Sequence, residues 1–230
     1  MHKNARFAVD MGLLDRVAER LRAHVDIFWI LGGAGSGKTT VCRLLSDLSG
    51  LPVYDMDAHI YGSYHSRFNP QRHPVNWAWS HSPDALAWLL DMSWDEFNRF
   101  NQAALPEYLD LLAEDLATLQ PFDRVLVDGG ICNPYLLSRV IPAQNIVCLA
   151  VDGSASARVW EAEGDRQAMK EDIFRLPHPE AAWKRFLEFD SRLTVNILEE
   201  CRGCGIPVCL RESATSQEET ARQVAAWLGI

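Results

Sequence analysis

Ile27-Phe28-Trp29-Ile30-Leu31-Gly32-Gly33-Ala34-Gly35-Ser36-Gly37-Lys38-Thr39 runs from an apolar segment into a glycine-rich turn, and Thr40 to Leu48 continues it with a helical pattern. The turn fits G-x-x-x-x-G-K-[ST] without a mismatch, in the order strand, turn, helix that the motif requires. Glycines let the backbone curl so that successive N–H groups point inward at phosphates. The following helix adds the partial positive charge of its N-terminus. Gly32, Gly33, Ala34, Gly35, Ser36, Gly37, Lys38, Thr39 and Thr40 are therefore expected to cradle the phosphates of a nucleoside triphosphate. Lys38 supplies a mobile cation and Thr39 a hydroxyl ligand for Mg²⁺.

Working outward, Met11, Leu14, Val17, Ala18, Leu21 and Val25 recur every three or four residues, which predicts an amphipathic helix before the first strand. Gly50 and Pro52 punctuate the chain before a short strand at Val53-Tyr54 that ends in Asp55-Met56-Asp57. Further strands are expected at Val125-Leu126-Val127, Ile146 to Val151 and Pro207 to Leu210, each a short apolar run suited to a parallel strand buried on both faces. Helical patterns separate most of them, so the fold class is α/β, a three-layer αβα domain with a five-stranded parallel sheet spanning residues 1–230 as one unit.

About seventy residues lie between the second and third strands, far more than a crossover helix needs. Residues 59–120 are expected to form an insertion, a helical cap over the carboxyl edge of the sheet on the acceptor side. Its first part, Gly62 to His81, has no clear period and reads as an exposed loop. Helices are expected from an N-cap at Ser82-Pro83, from the capping box Ser93-x-x-Glu96, and from Pro106 through Leu119. Pro179 to Arg202 predicts a long helix, and Ser216-x-x-Glu219 caps a final one ending at Gly229.

The chain has 230 residues, 48% of them hydrophobic, and a formal net charge of -9. That charge repels a nucleic-acid backbone and an anionic membrane, so neither is an expected partner. No apolar stretch reaches membrane-spanning length, and Asp10, Asp15 and Glu19 interrupt any signal-like start, giving a cytoplasmic expectation. Six cysteines are too few for a disulfide scaffold. Cys201 and Cys204 form a C-x-x-C with no second pair near it, and Cys209 lies in an expected strand, so ordinary packing is the simpler reading.

Ligands of open parallel sheets bind beyond the carboxyl ends of the strands. Here those ends carry the phosphate loop, Asp55 with Asp57, Asp128-Gly129-Gly130, and Asp152. Asp128 has the strand-then-Asp pattern of a Walker B carboxylate holding Mg²⁺. Asp55 and Asp57 project to one side of an extended strand end. Asp55 is expected to serve the metal and Asp57, further out, to take the proton of an attacking hydroxyl; the competing reading is that either caps a helix starting near Ala58. Residues 153–178 carry Arg158, Arg166, Lys170 and Arg175, a lid candidate whose Arg158 or Arg166 would close on the phosphates; a solvated helix face is the alternative. Arg211, at the end of the last strand, is a candidate for facing the base.

With these pieces in place the chain resembles the P-loop small-molecule kinases, the group of nucleoside monophosphate, shikimate and gluconate kinases. Val53-Tyr54-Asp55-Met56-Asp57 is similar to the D-x-D end of the second strand in shikimate kinases, where the second carboxylate contacts the acceptor. Asp128-Gly129-Gly130 is similar to their third-strand end, and Arg158 with Arg166 to the lid arginines of the wider group. The resemblance implies a sheet in the order 2-3-1-4-5, ATP with Mg²⁺, and transfer to a hydroxyl or phosphate acceptor.

The insertion matches no acceptor motif, and the acceptor-binding arginine signature of shikimate kinases is absent, so shikimate itself is not implied. Tyr61, Tyr64, Arg67, Arg72, His73, Trp77 and Trp79 are candidate acceptor contacts, with cap anchoring the equally simple account for the tryptophans. ATP-dependent phosphoryl transfer to a small-molecule acceptor is thus the expected function. The alternative is a nucleotide-hydrolysing ATPase or GTPase switch acting on a protein partner, against which the missing N-K-x-D motif counts. Nothing in the residues specifies an oligomeric state.

Overall fold

A computed structural model describes residues 7–24, 26–118, 124–130, 133–151, 160, 165–211 and 215–230. Five strands form one parallel sheet: β1 (Asp26–Gly32), β2 (Val53–Asp55), β3 (Arg124–Asp128), β4 (Ile146–Val151) and β5 (Val208–Arg211). Their order is β2-β3-β1-β4-β5, so β1 is central and its carboxyl end opens between the two halves of the sheet. In register, Asp55 lies opposite Asp128 and Ile30 opposite Asp128 on the other side of β3.

Strand side chains alternate faces, and β1 feeds two cores accordingly. Ile27, Trp29 and Leu31 point into the larger core, shared with α1 (Met11–His24), α6 (Trp94–Thr118) and, after α7 (Pro134–Leu137) and α8 (Asp165–Phe174), α9 (Pro179–Gly203). Phe28 and Ile30 point into the smaller one, closed by α2 (Lys38–Ser49) and α10 (Gln217–Leu228). Helices therefore cover both faces, as a sheet of continuous apolar strands requires. The capping box Ser216–Glu219 and the left-handed Gly229 bound α10 as expected. Among the described residues no helix is long and apolar enough to cross a membrane.

Between β2 and β3 lie α3 (Met56–Ile60), a 3-10 turn at Ser63–Ser66, α4 (Pro74–Ser80), α5 (Ala85–Leu90) and α6. This region corrects several expectations. Gly62 to His81 is not an exposed loop: Tyr64, His73, Asn76 and Trp79 are buried there. Arg67, Arg72, His73 and the Asn76 nitrogens find partners on α6, which lowers the cost of burying them, while His65 Nε2, Asn76 Oδ1 and Trp79 Nε1 keep none. Ser82 does not cap α5; Asp84 does, accepting from Ala87 N at 2.8 Å. Pro106 does not begin a helix but sits inside α6, which starts after a Ser93–Glu96 capping box. A proline removes one helical hydrogen bond and crowds the preceding turn. Here the buried flank from Ala103 to Ala113 packs the helix through it, and tertiary packing overrides the local penalty. Val25, Leu119 and Asp152 lie outside the described residues.

Candidate functional site

The loop from Gly32 to Thr39 curls over the end of β1 and enters α2 at Gly37, whose φ of 91° is left-handed. The Lys38 ammonium folds back and donates to Gly32 O at 2.9 Å and Gly33 O at 3.1 Å, holding the loop closed around its own cation. Ala34, Gly35, Gly37, Lys38, Thr39 and Thr40 line a hollow of about 280 Å³. The Ser36 hydroxyl is buried with no hydrogen-bond partner, on the side of Gly32 and apart from the residues that line the hollow. Two contacts were not legible from the motif: Thr194 of α9 packs against Gly33, and the Arg211 guanidinium stands beside Gly37.

Next to the loop, the turn after β3 is pinned by Trp29 Nε1, which donates to Gly129 O at 2.9 Å, and by Gly129 N donating to Ile30 O at 3.1 Å. Gly129 has φ 67°; a Cβ there would lie 2.5 Å from Asp57 Oδ2 and 3.5 Å from Lys38 Cε. The glycine is thus what lets Asp57 and Lys38 meet over one turn. Asp57 does not extend the strand beside Asp55, as expected, but occupies the first turn of α3. The cause is Asp55, whose Oδ1 accepts from Ala58 N at 2.9 Å and starts that helix. A cap of this kind stabilises a helix start by satisfying a donor the helix itself leaves open.

Asp128 is buried at the end of β3 and engages the Thr39 hydroxyl and the Cys42 thiol, while its Oδ1 has no partner. Burial raises its pKa above the ordinary carboxylate value and Asp55 adds to the rise, against the pull of Thr39 and Lys38. Asp57 as a residue is exposed, but its carboxylate end lies against the glycine turn. Desolvation there raises its pKa, Lys38 opposes, and Asp128 and Asp55 raise it further. Three carboxylates therefore face one ammonium. A hydroxyl beside a carboxylate with an orphaned oxygen is the donor set of a hard divalent cation that draws its remaining ligands from phosphate and water. Among the described residues no cluster of three or more His, Cys, Asp or Glu forms a metal cage. Thr39 and Asp128, with Asp55 in register beside them, fit Mg²⁺ of the phosphate-bound kind.

The candidate acceptor contacts mostly turn inward. Arg67 pairs with Glu114 at 3.2 Å and Asp115 at 2.7 Å, and Arg72 with Asp110 and Glu114, each at 2.5 Å. His73 contacts Asp110 at 3.0 Å, Tyr64 OH meets Tyr54 OH at 2.7 Å, and Trp79 is buried. Trp77 stacks on His81, whereas Tyr61 is exposed near the end of α3. Cys201 is buried against Cys148, and Cys204 follows the end of α9. Arg158 and the Arg166 side chain lie outside the described residues, as does most of 153–164.

No protein-family model and no curated protein matches the sequence. Among solved structures the chain is similar to TT1252 from Thermus thermophilus, at 20% identity and a TM-score of 0.50, covering 90% of this chain and 97% of that one. It also resembles the shikimate kinase from Bacteroides thetaiotaomicron, at 14% identity and a TM-score of 0.42 over 90% and 99% of the two chains. A third is the shikimate kinase from Acinetobacter baumannii in complex with shikimate, at 14% identity and a TM-score of 0.41 over 89% and 94%. These are likenesses of fold at low identity, and what those kinases bind belongs to them.

Proposed function

We propose that this chain is an ATP-dependent phosphotransferase that moves the terminal phosphoryl group of ATP to a hydroxyl of a small-molecule acceptor. The observation that carries the reading is the meeting of Lys38 and Asp57 over Gly129. A cation for the transferred group and a carboxylate for the attacking hydroxyl stand at one turn, beside a loop built for phosphate. Lys38 exchanges its bonds to Gly32 O and Gly33 O for the β- and γ-phosphate oxygens. Asp57 accepts the hydroxyl proton as the acceptor oxygen bonds to the γ-phosphorus and the bond to the β–γ bridging oxygen breaks, leaving ADP. Its raised pKa brings the carboxylate closer to the operating pH, which suits a base. Thr39, Asp128 and Asp55 would hold Mg²⁺, which when bound neutralises the charge on the β- and γ-phosphates.

The roles of the flanking segments belong to the same proposal. Residues 59–120 form the acceptor-side cap of a single 1–230 domain, and residues 153–178 the lid that brings Arg158 and Arg166 to the transferred group. Because Arg67 and Arg72 are held by carboxylates within the cap, acceptor recognition falls to groups nearer Asp57, with Tyr61 the exposed aromatic there. The test is Lys38→Ala. Steady-state ADP release should fall about 10²- to 10³-fold with the fold retained by circular dichroism, since the ammonium is bonded only to the loop it serves. Retained turnover would remove the phosphate-loop assignment.

A further inference from the structure

Arg211 is the last residue of β5 and is half-buried. β5 lies two strands from β1, roughly 9.6 Å away at ordinary strand spacing, yet the Arg211 guanidinium reaches back to the phosphate loop. Its Nη1 is 3.1 Å and its Cζ 3.9 Å from the place a Cβ on Gly37 would occupy. Arg20, Arg67 and Arg72 are spent on carboxylates, and Arg22 and Arg185 on backbone carbonyls. Among the described residues Arg211 has no carboxylate partner.

The sheet order gives this placement a direction. Asp55, Asp57 and Asp128 stand on the β2–β3 side of β1, and Arg211 on the β4–β5 side. On the proposed function, on which this inference rests, the terminal phosphate of the donor faces Lys38 and Asp57. The rest of the phosphate chain must then cross the start of α2 toward β5, because the other side is lined by carboxylates that repel it. Gly37, Lys38, Thr39 and Thr40, at the start of α2, line the hollow on that path. A guanidinium at the far end, fixed on the sheet instead of on a lid, offers planar paired donors to phosphate oxygens.

We propose that Arg211 is a second, fixed cation of the nucleotide site, pairing with the phosphate nearest the nucleoside and so holding a nucleoside di- or triphosphate in one direction across the loop. Its positive charge balances the carboxylate-rich acceptor side, so that Lys38 is not the sole protein counter-charge of the phosphate chain. A fixed cation also retains ADP before and after any lid movement, which predicts that it contributes to the affinity of donor and product alike.

Calorimetric titration of ADP into wild type, Arg211→Met and Arg211→Lys tests this. Met keeps a flexible apolar side chain and removes the guanidinium that stands beside Gly37, and Lys restores the charge without the fork. Arg211→Met should bind ADP about 10- to 100-fold more weakly, Arg211→Lys should recover part of that loss, and the loss should shrink as salt is raised. Unchanged ADP affinity in Arg211→Met, or a loss indifferent to salt, overturns the proposal, since packing alone would then explain the contact. Lys38→Met is titrated in parallel. If wild type fails to bind ADP, or Lys38→Met binds it as wild type does, the nucleotide-site reading fails instead, and the two failures are told apart.

Discussion

The carboxyl edge of the sheet and the insertion between β2 and β3 are both rich in charge, and they dispose of it in opposite ways. In the insertion, Asp110 is buried and receives Arg20 at 2.7 Å, Arg72 at 2.5 Å and His73 at 3.0 Å. Burial alone would raise its pKa, but the bonds from His73 and Arg72 win and hold it at about 2. Glu107 takes Val75 N at 3.0 Å and both nitrogens of Asn76 at 2.8 Å, and the Tyr54 hydroxyl donates to Asp115 at 2.5 Å. At the sheet edge the balance seen at Asp110 is reversed: burial and mutual repulsion raise Asp57 and Asp128, whereas burial alone raises Glu107 against its three bonds, and Asp128 Oδ1 keeps no partner. Charge that is satisfied inside the chain builds structure. Charge left unsatisfied, at a cost in stability, is available to a ligand.

That contrast can be broken most forcefully at Asp110. Asp110→Ala strands Arg20, Arg72 and His73, and should lower unfolding free energy by about 3–5 kcal/mol in urea titrations while ADP affinity of the folded protein is kept. A loss under about 1 kcal/mol would mean that the network is solvated after all.

Glu107→Gln comes next, with an expected loss of about 1–3 kcal/mol, because a single amide oxygen cannot serve three donors. Burial pushes Glu107 up to about 7 from an ordinary 4.5, ahead of the three bonds that pull it down. The folded value is the higher one, so the stability it confers is fully present below the ordinary value and is lost as pH rises through about 7. Melting curves across that window should show the decline in wild type and its absence in Glu107→Gln.

Asp57→Asn should do the reverse of Asp110→Ala. Removing a carboxylate that Asp55 and Asp128 repel leaves stability within about 1 kcal/mol of wild type, on the favourable side. A loss of about 2 kcal/mol or more would place Asp57 among the structural acids. The smallest effect concerns pH. The acid limb of turnover should lie above the ordinary carboxylate range, and Asp55→Asn should move it down, since Asp55 is one of the groups that raise Asp57.

The same contrast explains what could be read from the residues alone. The loop and its strand were legible because their chemistry is contiguous: five apolar residues, a glycine turn and Lys38-Thr39 lie in one stretch. The strand-end acids followed from short apolar runs, and the strand order from the resemblance to P-loop kinases. The insertion hid its structure because its partners are far apart in the chain. The Asn76 nitrogens donate to Glu107, and Arg72 pairs with Asp110 and Glu114, pairings that no local period reports. One signal was present: Glu107, Asp110 and Glu114 recur at helical spacing in a stretch otherwise dominated by Leu and Ala. An acid stripe there implies cations packed against it. Asp57 leaves the strand because Asp55 caps a helix, the competing reading of this pair, and its bond from Ala58 N turns the chain two residues early.

The proposed transfer is tested most directly by ADP release from ATP in wild type and Asp57→Asn, with a panel of small hydroxyl compounds and with none. The account predicts that wild type is stimulated by at least one compound, that the compound gains a phosphoryl group by mass, and that Asp57→Asn loses the stimulation while binding ADP normally. ADP release that no compound alters, and that is equal in both proteins, would contradict it.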